Sequence, residues 1–131
     1  FREVIFEGRA SFFNATFKAR VGFRLSQFKS EAIFANTKFQ ANQNDSNIIE
    51  KQDDNEIIEN EFREVIFEGR ASFSNATFKA RVGFILSQFK SEANFIKTEF
   101  QANQNDSDII ENQFSGVVFI GKTFFNHATF K

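Results

Sequence analysis

Phenylalanine recurs along this chain at intervals of five and six residues in strict alternation. Phe1, Phe6, Phe12, Phe17, Phe23, Phe28, Phe34 and Phe39 set the pattern. Phe62, Phe67, Phe73, Phe78, Phe84, Phe89, Phe95 and Phe100 repeat it, and Phe114, Phe119, Phe125 and Phe130 begin it again. Only Phe13 and Phe124 stand outside this register. Two residues before most register phenylalanines stands a small or β-branched residue, as at Val4, Ala10, Ala15, Val21, Ser26, Ala32 and Thr37. Residues two apart in an extended chain share a face. Each unit therefore directs one small and one large side chain inward, then turns a corner.

The pattern is carried by a longer repeat. The run Phe1 to Phe12 returns letter for letter at Phe62 to Phe73, and a third, shorter copy starts at Phe114. Composition agrees, with 22 Phe and no Tyr, Trp, Met, Pro or Cys. A mixed core draws on several large apolar types to fill irregular gaps, so near-exclusive Phe means one pocket shape used many times. A long helix is the competing reading, since eleven residues is also a hendecad period. At about 100° per residue the phenylalanines would split into two stripes and leave the helix apolar nearly all round. Phe, Val, Thr, Ser, Asn and Gly are also mediocre helix formers.

Stretches such as Ala71-Ser72-Phe73-Ser74-Asn75-Ala76-Thr77-Phe78 resemble the pentapeptide-repeat family. The alternating spacing is similar to a Phe-centred branch of it. The resemblance implies an all-β fold, a right-handed quadrilateral β-helix with four units per coil and Phe stacked along its axis. The sixth residue in every second unit departs from the family unit. It predicts two wider corners and about five coils, each spanning the interval from Phe1 to Phe23.

Eight register phenylalanines per long unit make two coils of four walls. That places Phe1, Phe23, Phe62, Phe84 and Phe114 in one file, with coils over 1–41, 62–102 and 114–131. Segments 42–61 and 103–113 then loop out of one corner. Charge supports this count. The rows Glu7, Lys29, Glu68, Lys90 and Arg9, Glu31, Arg70, Glu92, Lys122 alternate in sign, as do Arg20, Glu59, Arg81, Glu111. Like charges stacked at one coil spacing would oppose the register. The chain begins without Met and stops in mid-pattern, which predicts a piece of a longer protein.

The buried set expected from this scheme includes Phe6, Phe12, Phe17, Phe23, Phe28, Phe34, Phe67, Phe73, Phe78, Phe84, Phe89 and Phe95. Gly8, Gly69 and Gly121 fall in one corner row, where they are expected to serve turning. His127 takes a corner position shared with Asn14, Asn36, Asn75 and Lys97, which predicts a solvent-facing residue.

Little here points to catalysis. There is no Cys and one His, so neither a nucleophile–His pair nor a thiolate metal site is expected. The carboxylates sit in sign-alternating rows, and no phosphate-binding Gly loop is present. No cofactor or metal is expected. Asp45, Asp53 and Asp54 lack calcium-loop spacing. Asn14-Ala15-Thr16 and Asn44-Asp45-Ser46 spell glycosylation acceptors, the first as a by-product of the repeat. No run approaches the length of a membrane span.

A formal charge of −1 gives no bulk field for nucleic acid. The expected function is a non-catalytic scaffold or protein–protein interaction module. Its partner would be another protein or a neighbouring domain, with end-to-end or wall-to-wall self-association as a further route. The resemblance also implies an alternative, since some family members imitate duplex DNA and inhibit type II topoisomerases. The alternating rows argue against that. An ice-binding wall would want Thr in file, and Thr16, Lys38, Thr77, Glu99, Thr129 is broken by charge. The candidate interaction wall is the apolar set Ile5, Leu25, Ile66, Leu86 and Val118 near Phe6 and Phe28. A second set, Phe13, Ile33, Ile96 and Phe124, lies on the wall of Phe12 and Phe34.

Overall fold

The computed structural model describes residues 1–40, 60–101 and 112–131. These residues wind into a right-handed, four-walled parallel β-helix. Wall A stacks Val21–Arg24, Asn60–Arg63, Val82–Ile85 and Gln113–Ser115. Wall B stacks Ile5–Phe6, Gln27–Phe28, Ile66–Phe67, Gln88–Phe89 and Val118–Phe119. Wall C runs from Ala10–Ser11 through Ala32–Ile33, Ala71–Ser72 and Ala93–Asn94 to Thr123–Phe124. Wall D runs from Thr16–Phe17 through Lys38–Phe39, Thr77–Phe78 and Glu99–Phe100 to Thr129–Phe130. Within a long unit, one coil separates Phe6 from its neighbour Phe28, two five-residue and two six-residue steps along the chain. Across the two insertions the neighbours lie further apart in sequence, as in Ala32 beside Ala71 and Ala93 beside Thr123. Each insertion therefore adds chain without adding a layer, and the phenylalanine files continue across the gaps.

Each file is a column of parallel rings. On wall C, Phe12, Phe34, Phe73, Phe95 and Phe125 stack at centroid distances of 4.8, 4.9, 5.0 and 4.9 Å. On wall A, Phe23 stacks on Phe62 at 5.4 Å and Phe84 on Phe114 at 5.1 Å. Coil rise sets this spacing, about 4.8 Å between strands. Between walls the rings meet tilted or edge to face, the latter as Phe73 does with Phe62 and Phe84 at 90°. Both arrangements suit the ring quadrupole. Phe23, Phe28, Phe34, Phe67, Phe73, Phe78, Phe84, Phe89 and Phe95 are fully buried, and Phe39, Phe62 and Phe100 join them. Phe6, Phe12 and Phe17, in the first coil, are only partly buried against the cluster.

The small inward positions do more than leave room. Ser26 Oγ accepts from the Val4 amide at 3.2 Å and donates to the Arg24 carbonyl at 3.0 Å. Ser87 Oγ likewise accepts from the Val65 amide at 3.1 Å, and it donates to Phe62 O at 2.8 Å. Thr37 and Thr98 donate to the carbonyls of Phe12 and Phe73 at 2.7 Å. All four hydroxyls lie in the second and fourth coils and reach down one coil. The first and third coils carry Val4, Ala15, Val65 and Ala76 at the same positions. The true structural period is therefore a pair of coils.

The corners differ by length. Ten described residues have positive φ, and they occupy the five-residue corners: Glu3, Leu25, Glu64, Leu86 and Gly116 from wall A to B, and Asn14, Asn36, Asn75, Lys97 and His127 from C to D. The six-residue corners need no such residue. Gly8, Gly69 and Gly121 do stand at bends of one corner row, as expected, but in a six-residue corner and outside the left-handed region. What requires glycine at Gly69 and Gly121, though not at Gly8, is a close approach. A Cβ on Gly69 would lie 2.5 Å from the Ser30 carbonyl carbon, and one on Gly121 would collide with Ser91 O.

The coil also resumes earlier than segments 42–61 and 103–113 imply. Asn60 and Glu61 open a wall A strand, and Gln113 opens another. Glu61 lies between Gly22 and Gly83 of the adjacent coils. There it accepts from Arg24 Nε at 2.5 Å and Arg63 Nε at 2.7 Å. It thereby separates two like charges that stack directly, an exception to the alternating rows. Elsewhere the alternation holds as contacts, with Lys29–Glu7 at 3.1 Å, Arg9–Glu31 at 3.1 Å and Arg70–Glu92 at 3.1 Å. Glu59, Glu111 and the calcium candidates Asp45, Asp53 and Asp54 fall outside the described residues.

Candidate interaction groove

The corner between walls A and B carries two adjacent outward columns. One is the positive-φ column Glu3, Leu25, Glu64, Leu86, Gly116. The other is the wall B strand column Ile5, Gln27, Ile66, Gln88, Val118. Polar and apolar residues alternate in both, one coil out of phase. Ile5, Leu25, Ile66, Leu86 and Val118 therefore form an unbroken zigzag, each apolar residue diagonal to the next. The structure brings together all five residues picked out in the sequence. Along four of them lies an open groove of about 560 Å³, lined by Leu25, Ile66, Leu86 and Val118 with Gln27, Gln88 and Glu64, while Ile5 lies outside it. Leu25 and Leu86 are 44% and 55% exposed. Leu86 leans over Gly116, where a Cβ would come within 2.7 Å of its Cδ2.

Leucine is a costly choice at this backbone. For an L-residue the left-handed region costs roughly 1–2 kcal/mol, and Asn or Gly relieves it. At the equivalent corner between walls C and D, three of the five positions are Asn. Leu25 and Leu86 combine a strained φ of 52° with an apolar side chain in water.

The second apolar set is different. Phe13 and Ile33 lie in the first two coils of wall C, Ile96 and Phe124 in the last two. Ser72 and Ser74 separate the pairs in the third coil. It makes no continuous stripe.

Charge is also unevenly divided along the chain. The described coils hold fifteen basic but only eight acidic residues, a net of +7 that the whole-chain value of −1 conceals. On wall D, Lys18, Lys38, Lys79 and Lys131 are exposed and make no ion pair among the described residues. Glu64, in the groove, likewise has no ion pair among them. His127 is an exposed corner residue at φ 57°. No cluster of potential metal ligands occurs among the described residues, and no described helix could cross a membrane.

The class these features define is a repeat β-helix with a phenylalanine ladder. No known family, curated protein or solved structure matches the chain.

Proposed function

We propose that this chain is a non-catalytic scaffold of the pentapeptide-repeat kind that takes a protein partner in the groove between walls A and B. The family reading is supported by the four-unit coil and by the small or β-branched residue two before most register phenylalanines, with the sixth residue of alternate units as its departure. The observation carrying the interaction reading is the pair Leu25 and Leu86. Both hold a strained backbone and an exposed apolar side chain, a combination that folding alone disfavours.

The test is the double variant Leu25→Asn, Leu86→Asn. It should raise the unfolding midpoint, because Asn suits the left-handed region, and abolish recovery of specific cross-linked partners. Unchanged cross-linking would refute the groove as the binding surface. The alternative of a DNA mimic needs a continuous negative wall, and a net of +7 on the described coils weighs against it. Inhibition of gyrase supercoiling by this chain would revive it.

A further inference from the structure

Resting on the groove reading above, the geometry points to an amphipathic α-helix as the partner element, lying along the solenoid axis with a basic residue against Glu64. The argument is one of matching periods. The groove offers one apolar residue per coil, Leu25, Ile66, Leu86 and Val118, at a rise of about 4.8 Å. A helix lying along it presents one turn of side chains per rise of about 5.4 Å. The mismatch is about 0.6 Å per layer, roughly 2 Å over the three steps of the groove. Side-chain rotamers absorb that.

An extended strand along the same line presents a residue to one side about every 6.8 Å and slips by about 2 Å per layer. Over three steps it loses a whole layer. Strand addition to the sheet is also closed on this wall, because the backbone groups of Gln27, Ile66, Gln88 and Val118 are already bonded between coils. A polyproline helix comes near the two-coil spacing, but such ligands dock between aromatic rings, and the groove lining is aliphatic.

A second copy of the chain would match the rise without error, and the apolar zigzag even has the required symmetry about Ile66. That arrangement places Glu64 against Glu64, Glu68 against Glu68 and Lys29 against Lys90 of the other copy. Like charges at contact oppose it. A helix with an apolar stripe at i, i+4, i+7 and i+11 and lysines on one flank satisfies both the zigzag and Glu64.

The experiment uses three labelled synthetic peptides of equal length, read by fluorescence anisotropy against the full chain. One has leucines at helical spacing with a lysine flank. One has the same residues in strand alternation. The third replaces the lysine flank with glutamate. The first is expected to bind at least tenfold tighter than the second, and Leu86→Arg should weaken it tenfold or more. Glu64→Lys should weaken the lysine peptide and strengthen the glutamate peptide, a reversal that loss of structure does not produce. Equal binding of helical and strand peptides, binding of neither, or indifference to Glu64→Lys would each overturn the helix inference. If a Leu86-dependent cross-linked partner persists in that case, the groove reading survives and only the helix is lost.

Discussion

Replacing Asn60 with Val should make this protein more stable. Asn60 occupies the inward small position of wall A, between Val21 in the coil below and Val82 in the coil above. It is fully buried, and neither its Nδ2 nor its Oδ1 has a hydrogen-bond partner among the described residues. An amide buried in this way costs about 1–3 kcal/mol by mutational measures. Valine removes both orphaned atoms and suits a strand. The slot already accepts valine one layer down and one layer up, so overpacking is small. The expected gain is about 1–3 kcal/mol. With a urea slope of about 2 kcal/mol per M, the midpoint should rise by about 0.5–1.5 M. Far-ultraviolet circular dichroism during urea titration reads this directly. Asn60→Ala is the control, since it removes the amide but leaves a void, and should gain less. A fall in midpoint for Asn60→Val would mean that the amide holds a partner worth more than its burial costs, and the account of this column would fail.

Three further perturbations follow from the same contacts. Phe73→Ala removes a ring stacked on Phe34 and Phe95 and should cost about 3–5 kcal/mol, whereas Phe130→Ala, at 57% exposed, should cost less than half of that in the same titration. Gly69→Ala should destabilise by about 1–3 kcal/mol, because its Cβ meets backbone that cannot yield. Gly8→Ala, with nothing within 4 Å, should stabilise by about 0.4–1 kcal/mol, and equal effects at the two glycines would refute the close-approach account. Glu61→Gln leaves Arg24 stacked on Arg63 without an anion between them and should cost about 1.5–3 kcal/mol, read as a drop in thermal midpoint.

The phenylalanine files were legible in the sequence because a single pocket shape recurs at a fixed spacing. The coil count followed from charge, since stacked like charges penalise the wrong register. What the sequence concealed is local. Asn60 and Glu61 read as the tail of a polar segment because the insertion interrupts the period that would have marked them as coil. Glycine is ambiguous by letter. A positive φ and a close backbone approach both call for it, and only coordinates separate Gly116 from Gly69. The hydroxyls of Ser26, Thr37, Ser87 and Thr98 looked merely small, because an acceptor one coil away is not written beside them. The five zigzag residues were recognisable as outward and apolar. Their continuity depends on a phase shift between two columns, and the strain at Leu25 and Leu86 on a φ that no letter records.

The pairing of coils by inward hydroxyls constrains how such a protein can change length. Excising the third coil would set hydroxyl-bearing layers directly on one another and bring Glu31 over Glu92, and excising the second would stack two layers without hydroxyls and bring Arg9 over Arg70. Excising two adjacent coils leaves every column with its former neighbours. Natural variation in the height of this five-coil rod should therefore come in even steps, with a chain of four coils far rarer than one of three.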